Sequence, residues 1–312
     1  MKRIDTVDRY DQKTPTVLTI GTFDGVHIGH QRILEKLVLE AKSKGYHSCL
    51  LTFFPHPRAV LQRDIAIKLL TTIEEKAELL EQMGLDVMVI HPFSRAFSRL
   101  TAREYVEDIL VNRLKVKKLI VGYDHRFGRN READINDLRY FAQLFDFEIE
   151  EIGPQDVDDV AVSSTKIRAA LSDGAVHTAN QYLGHAYQIE GVVKRGKSIG
   201  KQINFPTANL EEINPSKLIP AQGVYAITAS IENQLFRGIM NIGTNPTVGG
   251  KGLNLEAHLF DFEGDLYDQT LRVSLHKRIR SEQRFENLED LRNQIESDKT
   301  TAISFFKEAS LS

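Results

Sequence analysis

The spacing of apolar residues changes near the middle of the chain. In the first half, runs of consecutive apolar residues alternate with segments in which apolar residues recur every three or four positions. Continuous runs are typical of strands buried on both faces, and the three-to-four spacing is typical of the helices that cover them. Such runs lie at 16–20, 48–54 and 87–90 and within 117–122, and residues 147–152 are a fifth strand candidate. Helical segments lie at 73–83 and 101–113. This half predicts an α/β domain built on a doubly wound parallel sheet.

Beyond residue 184 the apolar residues alternate with polar ones, and glycine-containing turns interrupt the pattern at short intervals. Short alternating strands separated by turns predict a small antiparallel β-barrel. Helical spacing returns near the end, where five apolar residues predict a terminal helix that packs on the barrel: Leu288, Leu291, Ile295, Ile303 and Phe306. We therefore predict two domains, residues 1–183 and residues 184–312.

The composition supports two domains and limits the partners. A chain of 312 residues exceeds the usual domain size of ~100–200 residues. The net charge of −3 argues against a general nucleic-acid or membrane surface, and no apolar run reaches the ~18 residues of a membrane span. Small-molecule partners are therefore expected. The single cysteine, Cys49, excludes an internal disulfide and fits a reducing compartment, so we predict a cytoplasmic protein.

A glycine turn, Gly21 to His30, lies between the first predicted strand and the first predicted helix. Free backbone N–H groups and the positive end of a helix dipole meet at such a junction, which suits a phosphate. His27 and His30 are three residues apart, so both imidazoles fall on one face of the helix. Near pH 7 an imidazole donates an N–H hydrogen bond and can gain a proton beside a polyphosphate. Helix capping alone is the simpler alternative for these two side chains.

Other polar segments also follow predicted strands, namely residues 55–58 and residues 122–128. In parallel sheets, ligands bind beyond the carboxyl ends of the strands where the strand order reverses. If the five strands have the order 3-2-1-4-5, the first and fourth are neighbours. Their loops would then flank one crevice.

The string GTFDGVHIGHQ, residues 21–31, resembles the HxGH motif of the nucleotidyltransferase superfamily. In its longer form it resembles one branch, the bacterial bifunctional riboflavin kinase/FMN adenylyltransferases, or FAD synthetases. The resemblance implies a Rossmann-like nucleotidyltransferase domain in which His27 and His30 are catalytic. It also implies that Gly21, Phe23 and Gly29 contact ATP.

Two further strings of the first domain resemble this family. GYDHRFG resembles its flavin- and nucleotide-site loop, which implies flavin contacts for Asp124, Arg126 and Phe127. The string beginning at Ser163 resembles the ISSTxxR motif that holds ATP phosphates. The residues implied there are Ser163, Ser164, Thr165 and Arg168. A polar turn and a simple helix cap are the structural alternatives for the two strings.

The second half carries strings that resemble riboflavin kinases. Phe205 to Asn209 resembles the PTAN motif, which implies that Thr207 and Asn209 hold Mg²⁺ with ATP. The whole stretch from Gly196 to Asn209 implies ATP contacts for Gly196, Gly200, Lys201 and Thr207. In the string EAHLFDF, Glu256 is implied as the base that takes the proton of the ribityl hydroxyl. The string before the last helix resembles a segment near the flavin and implies Arg280, Glu282 and Phe285.

Taken together, the resemblance implies a flavin-cofactor enzyme. Riboflavin would be phosphorylated by ATP to FMN, and FMN would be adenylylated by a second ATP to FAD with release of pyrophosphate. Three alternatives stay open from the sequence. Only one half could be active, for instance because Asn204 replaces a usual glycine in the kinase loop. The chain could instead be a flavin-binding sensor, or a cytidylyltransferase of the same superfamily, although the latter leaves the barrel unexplained. The sequence leaves the oligomeric state open.

Overall fold

The computed structural model of the chain describes residues 1–62, 67–122, 125–153, 162–195, 205–232, 234–244 and 253–309. The chain forms two compact units, Met1–Ser163 and Ser164–Ser312. The first contains a parallel sheet with helices on its faces, and the second contains a closed antiparallel barrel. Both parts of the predicted fold class are confirmed.

Six parallel strands form the sheet of the first unit. They are β1 (Lys2–Ile4), β2 (Thr16–Ile20), β3 (His47–Phe54), β4 (Val87–Pro92), β5 (Val116–Gly122) and β6 (Glu148–Ile152). Their order is β1-β4-β3-β2-β5-β6. The five predicted strands therefore have the predicted order 3-2-1-4-5, and β2 and β5 are neighbours. The sequence analysis missed β1, which is only three residues long and has two exposed residues out of three.

Alternate residues of the central strands face opposite layers of the core. Leu18 of β2 packs in a cluster with Leu110 and Leu138, whereas Val17 packs in another cluster with Leu34 and Leu80. Because both faces are covered, these strands carry no polar alternation. Cys49 is fully buried in β3, as predicted, and burial raises the pKa of its thiol.

The helices of the first unit cover the sheet. They are α1 (Ile28–Lys44), α2 (Pro57–Leu61), α3 (Ile73–Gln82), α4 (Ala102–Glu104, continued by a π-helix over Tyr105–Arg113) and α5 (Ile135–Phe145). Glycine ends α1, since Gly45 has φ = 67°, a conformation that side chains other than glycine adopt at a cost. Thr72 and Glu75 form a capping box at the start of α3. The helix predicted over 101–113 is present, with π geometry in its second part.

The barrel of the second unit has six strands. They are β7 (Tyr187–Lys194), β8 (Ala208–Glu211), β9 (Gly223–Ile231), β10 (Gln234–Thr244), β11 (Leu253–Leu259) and β12 (Thr270–Arg280). Their order around the barrel is β10-β11-β8-β7-β12-β9. Closure pairs each of the six described strands on both sides, which suits a small domain.

Among the residues that the structure describes, three helices accompany the barrel: α6 (Ser164–Ser172), α7 (Val176–Leu183) and α8 (Leu288–Ala309). The α7 residue Asn180 donates a hydrogen bond to Leu275 O and accepts one from Tyr187 N, both at 2.8 Å. Residues 164–183 therefore pack with the barrel in this structure. The predicted functional boundary after residue 183 stays a prediction.

The terminal helix α8 packs on the outside of the barrel, as predicted. Ala302 and Phe306 are buried against Val224, Ala226 and Ile239 of β9 and β10. Burial of each large apolar side chain is worth ~1.5–3 kcal/mol. Leu288 is 49% exposed, so the apolar contact begins later in the helix than the sequence pattern indicated.

Candidate active sites

The turn between β2 and α1 has an unusual backbone. Phe23, Gly25 and Val26 have φ values of 46°, 85° and 42°. A left-handed conformation is rare for a β-branched residue such as Val26, and such strain costs ~1–3 kcal/mol per residue. Hydrogen bonds from outside the turn stabilise it, among them one from Gln31 Nε2 to Val26 O at 2.8 Å. A side chain at Gly21 would also meet the Phe23 ring.

The turn positions the two predicted histidines together. His27 caps α1, since its Nδ1 accepts a hydrogen bond from the backbone N–H of His30. The two imidazoles stack with their centroids 3.6 Å apart, and the Phe23 ring stacks on His30 at 4.5 Å. Because Nδ1 of His27 is an acceptor, a neutral His27 carries its proton on Nε2. Capping and presentation of an N–H donor are therefore compatible in one residue.

Burial keeps both rings neutral. Desolvation lowers the pKa of His27 to about 4, although the nearby Asp24 opposes the shift. Desolvation also lowers the pKa of His30 well below its ordinary value, and His27 and Lys76 lower it further. At neutral pH the rings of the ligand-free protein thus act as N–H donors. His30 Nδ1 is shielded from solvent and has no hydrogen-bond partner among the residues described.

Two buried charged residues support this turn, Asp24 within it and Lys76 of α3, and the sequence analysis assigned a role to neither. The carboxylate of Asp24 accepts hydrogen bonds from the backbone N–H groups of Leu70 and Thr71 at 3.0–3.1 Å. The ammonium of Lys76 donates to Thr22 O at 2.6 Å. The available signal was the helical spacing of Ile73, Lys76 and Leu80, which places a lysine on the buried side of α3.

The predicted flavin loop lies at the carboxyl end of β5. Arg126 is exposed, whereas Phe127 is buried and exchanges two backbone hydrogen bonds with Ala133. Phe127 contacts Tyr105, with ring centroids 5.9 Å apart. Tyr105 also contacts Phe97, which begins a row of aromatic contacts along the carboxyl ends of β3 and β4, formed by Phe53, His91, Phe93 and Phe97. The carboxyl edge of the sheet therefore has an aromatic wall next to the loop.

The predicted phosphate motif lies at the start of α6. Ser163 precedes the helix and Ser164 is its first residue. Thr165 is exposed and Arg168 is half-buried. Residues three apart share a helix face, so Thr165 and Arg168 can reach the same ligand. Their contact with ATP stays a prediction.

In the barrel, strand register aligns polar residues in one row. Asn209 of β8 lies directly opposite Glu256 of β11, and Glu256 lies opposite Asn241 of β10. Directly paired residues point to the same face of a sheet. Asn241 is in turn opposite Val224, which packs against α8. The row formed by Asn209, Glu256 and Asn241 therefore lies on the outer face of the barrel, while Leu255 and Ala257 are buried inside.

Two amide side chains, those of Asn254 and Asn241, lie beside Glu256, and a second carboxylate, that of Glu282, lies over Gly243. Asn254 donates from Nδ2 to Glu256 Oε1 at 2.5 Å. Gly243 lies opposite Asn254, and a Cβ built on Gly243 would collide with the carboxylate of Glu282 and lie 3.1 Å from Asn241 Nδ2. Glu282 therefore occupies space that only a glycine leaves free. The analysis predicted Glu256 and Glu282, but neither asparagine.

His258 fixes the segment that carries Thr207. Its ring nitrogen Nδ1 hydrogen-bonds Pro206 O at 2.8 Å, and its ring packs edge-on against Phe205. Burial lowers its pKa. Thr207 thus enters β8 from a fixed position, and Asn209 follows two residues later beside Glu256.

The residues predicted near the flavin on the kinase side differ in their surroundings. Arg280 forms an ion pair with the buried Asp298 of α8, and Phe285 lies 5.7 Å from its guanidinium carbon. Glu282 lies over Gly243, as described above. Four further predicted site residues, Asp124, Gly196, Gly200 and Lys201, lie outside the described residues, as does Asn204.

These arrangements place the chain in the class of two-part enzymes that transfer phosphate-containing groups. The family model described as "FAD synthetase" matches residues 9–166, and the model described as "Riboflavin kinase" matches residues 183–306. Together they span more than half of the chain.

Curated relatives match over nearly the whole length. The bifunctional riboflavin kinase/FMN adenylyltransferase of Escherichia coli K12 is 40% identical over 291 residues, which are 93% of this chain and 92% of the relative. The protein of the same name from Bacillus subtilis is 35% identical over 304 residues, or 95% and 94% of the two chains. The chain therefore belongs to the family of bifunctional riboflavin kinase/FMN adenylyltransferases.

A solved structure has the same fold. It is described as "Crystal Structure of Macrolide-efflux Protein from Streptococcus pneumoniae" and has a TM-score of 0.88 with 28% identity. The match covers 96% of this chain and 98% of that one. The described part of the present chain contains no helix long and apolar enough to cross a membrane.

Proposed function

We propose that this chain makes FAD in two steps, with the barrel phosphorylating riboflavin and the α/β unit adenylylating the resulting FMN. Both family models match, and the full-length relatives carry both activities in their names. The single observation that carries the kinase assignment is the outer row of the barrel, where Glu256 lies between two asparagines.

In the kinase step, Glu256 takes the proton from the terminal ribityl hydroxyl of riboflavin. The freed oxygen attacks the γ-phosphorus of ATP, the bond to the β-phosphate oxygen breaks, and ADP leaves. Asn254 occupies one carboxylate oxygen of Glu256, which orients the other toward the substrate. A positioned general base of this kind contributes ~10²–10⁴-fold to the rate. Glu282 and Phe285 would contact the flavin.

In the adenylylation step, a phosphate oxygen of FMN attacks the α-phosphorus of ATP and pyrophosphate leaves. His27 donates from Nε2 to a phosphate oxygen, and the N-terminus of α1 adds backbone donors and a positive dipole. A neutral imidazole suits this role because its protonated ring nitrogen is a hydrogen-bond donor. Gly21, Phe23 and Gly29 would contact ATP within the same turn, with Ser163, Ser164, Thr165 and Arg168 as further phosphate ligands.

The residues before and in β8 suit Mg²⁺ bound together with ATP. Asn209 is nearly buried and directly beside Glu256, and Thr207 precedes it by two residues. Mg²⁺ retains waters and phosphate oxygens, so it needs few protein ligands. Held by Thr207 and Asn209, it would neutralise charge on the ATP phosphates.

We also propose that the protein acts in the cytoplasm, on small molecules. The supporting observations are a single, fully buried cysteine and a net charge of −3. A reducing compartment leaves such a thiol unpaired without cost.

The test is a time course with purified full-length protein, riboflavin and excess MgATP, with the flavins separated by chromatography. FMN that rises and then gives way to FAD supports both steps. The assay is run once with oxidised and once with reduced flavin. FMN that accumulates without FAD in both assays contradicts the adenylylation assignment. FAD that forms only from supplied FMN contradicts the kinase assignment. No product at all favours a flavin-binding sensor.

The same assay with a chelator tests whether the two reactions require Mg²⁺. Excess EDTA should stop both reactions, and added Mg²⁺ beyond the EDTA should restore them. Kinase activity that persists in EDTA would contradict the metal role of Thr207 and Asn209.

A further inference from the structure

Lys76 is a buried lysine directly beneath the catalytic turn. It lies in α3 with 5% of its surface exposed, and its ammonium donates to Thr22 O at 2.6 Å. Lysine is almost never buried to this degree without a specific reason. The long side chain reaches from α3 to the first residues of the turn that carries His27 and His30.

The acceptor of that hydrogen bond is well placed to control the turn. Thr22 O receives a second hydrogen bond from Thr52 Oγ1 of β3 at 3.2 Å. The next residue, Phe23, is the first left-handed position of the turn, and its ring stacks on His30. The orientation of the Thr22 carbonyl therefore sets the start of the strained backbone that presents the imidazoles.

A second connection joins the same turn to the segment before α3. Asp24 accepts from the N–H groups of Leu70 and Thr71, and Gly25 N donates to Thr71 Oγ1 at 3.1 Å. Asp24 is itself buried. Burial lowers the pKa of Lys76 to about 8, although the opposite charge of the Asp24 carboxylate favours the protonated form and opposes the shift. Lys76 therefore remains largely cationic at neutral pH.

We propose that Lys76 is a positioning residue of the adenylylation site, which orients the Thr22 carbonyl and thereby holds the left-handed turn that presents His27 and His30. This inference rests on the proposed adenylylation of FMN. It assigns no contact between Lys76 and substrate. The sequence resemblance carried no role for this residue.

The charge of Lys76 is also close enough to act on His30. The groups that face His30 are His27 from the same helix start and Lys76 from α3, and Asp24 faces His27 and Lys76. Removal of a positive charge from beside His30 must raise the pKa of His30. Looser packing that admits water would also raise the pKa of His30, because desolvation lowers it as well. A rise in Lys76→Met that is absent from Lys76→Arg, which keeps the charge, therefore reports the lost charge.

The experiment compares Lys76→Met, which keeps the length of the side chain, with Lys76→Arg, which keeps charge and donors. FAD formation from FMN and ATP is measured together with phosphorylation of riboflavin in the same preparations. We expect Lys76→Met to lower kcat for adenylylation by at least tenfold, with kinase activity within twofold of the unmodified protein. Lys76→Arg should recover part of the loss. Histidine NMR titration should show a higher pKa for His30 in Lys76→Met.

Two further variants separate positioning from misfolding. Thr52→Val removes the other donor to Thr22 O without changing charge, and we expect a several-fold loss of adenylylation. Lys117→Met changes an exposed lysine of the same unit, paired with Asp146, and should leave both activities unchanged.

The outcomes distinguish this proposal from the proposed function. An unmodified protein that makes no FAD contradicts the function itself. If the unmodified protein makes FAD and folded Lys76→Met does so within twofold of its rate, the role of Lys76 is wrong. If Lys76→Met does not fold, an unaltered adenylylation rate in Thr52→Val overturns the role of the Thr22 carbonyl.

Discussion

Arg280 of β12 and Asp298 of α8 form a bidentate ion pair, in which the guanidinium Nε and Nη2 lie 2.8–3.0 Å from the carboxylate oxygens. Asp298 is 2% exposed and accepts a further hydrogen bond from Gln294. The pair fastens the terminal helix to the strand that leads toward Glu282 and Phe285. The guanidinium of Arg280 is engaged by Asp298 in this structure. Contact between Arg280 and the flavin stays a prediction.

Asp298→Asn should destabilise the barrel. Loss of one partner from a buried ion pair typically costs ~3–5 kcal/mol, since the remaining charge is left without compensation. Urea unfolding followed by circular dichroism measures the change. As a control, Asp265→Asn alters an exposed turn of the same unit and should change stability by less than ~0.5 kcal/mol. Equal midpoints for Asp298→Asn and the unmodified protein would contradict the structural role of the pair.

Glu256→Gln should abolish the kinase step selectively. The amide cannot accept the hydroxyl proton, so riboflavin phosphorylation should fall by ~10²–10⁴-fold. FAD formation from supplied FMN should continue at the unmodified rate. Glu263→Gln, in an exposed turn after β11, is the matched control. A fall in both activities would point to misfolding and not to loss of a base.

His30→Asn should lower adenylylation and leave the kinase step intact, which is the reverse of the effect expected for Glu256→Gln. Asparagine retains a donor but removes the ring that stacks between Phe23 and His27, so adenylylation of FMN should fall at least tenfold while riboflavin phosphorylation continues. Chromatography of a riboflavin reaction should then show FMN without FAD. His177→Asn changes an exposed histidine of α7 and serves as the control. Unchanged FAD formation in His30→Asn would remove this residue from the mechanism.

Gly243→Ala should raise the KM for riboflavin through Glu282. The added methyl group would collide with the Glu282 carboxylate and displace it from the outer face of the barrel. Glu282→Ala removes the obstructing group, so the double variant should be no worse than Glu282→Ala alone. Kinase kinetics of the unmodified protein, the two single variants and the double variant give the double-mutant cycle. Strictly additive losses would show that Gly243 acts independently of Glu282.

The stability of the first unit should depend on pH through His27. Burial lowers its pKa to about 4 in the folded protein, whereas an unfolded histidine has a pKa of about 6.5. Because the unfolded state binds the proton first, stability is lost as the pH falls from about 6.5 toward 4. At pH 5 the loss is about 2 kcal/mol.

The His27→Gln variant isolates this contribution. Urea unfolding of both proteins at pH 7.5 and pH 5 should show a smaller acid-induced loss in the variant, by about 2 kcal/mol. Other buried histidines such as His91 are present in both proteins, so their contributions cancel in the comparison. His30 stacks on His27, so loss of the His27 charge raises the pKa of His30 and enlarges the difference. An equal loss in the two proteins would contradict the pKa shift of His27.

The sequence predicted the topology because each central strand is apolar on both faces and each turn carries its own signal. It missed β1, which pairs with β4 through three residues and has no apolar pattern of its own. It missed Lys76 because a lysine in a helix is normally read as solvated. Its interior position follows only from tertiary packing against the turn.

The kinase side could be predicted only in part for a related reason. Glu256 stood in a recognisable string, but Asn241 became its neighbour only through strand pairing in the barrel. Asn254 lies two residues before Glu256 on the same strand, where alternation alone places both on one face. The register between two strands depends on the geometry of the turn that joins them. The alternation of apolar and polar residues does not determine that geometry. Residues of separate strands therefore could not be joined into one site from the sequence.

The outer row of the barrel also limits how this enzyme can change. Along each strand, side chains point alternately to the outer face and to the interior of the barrel. A one-residue insertion or deletion would therefore turn that strand's polar residues toward the interior. Substitutions at Asn209, Asn241 or Asn254 alter one contact at a time and leave this alternation intact. Redesign of the flavin specificity should therefore vary side chains while keeping the lengths of β8, β10 and β11.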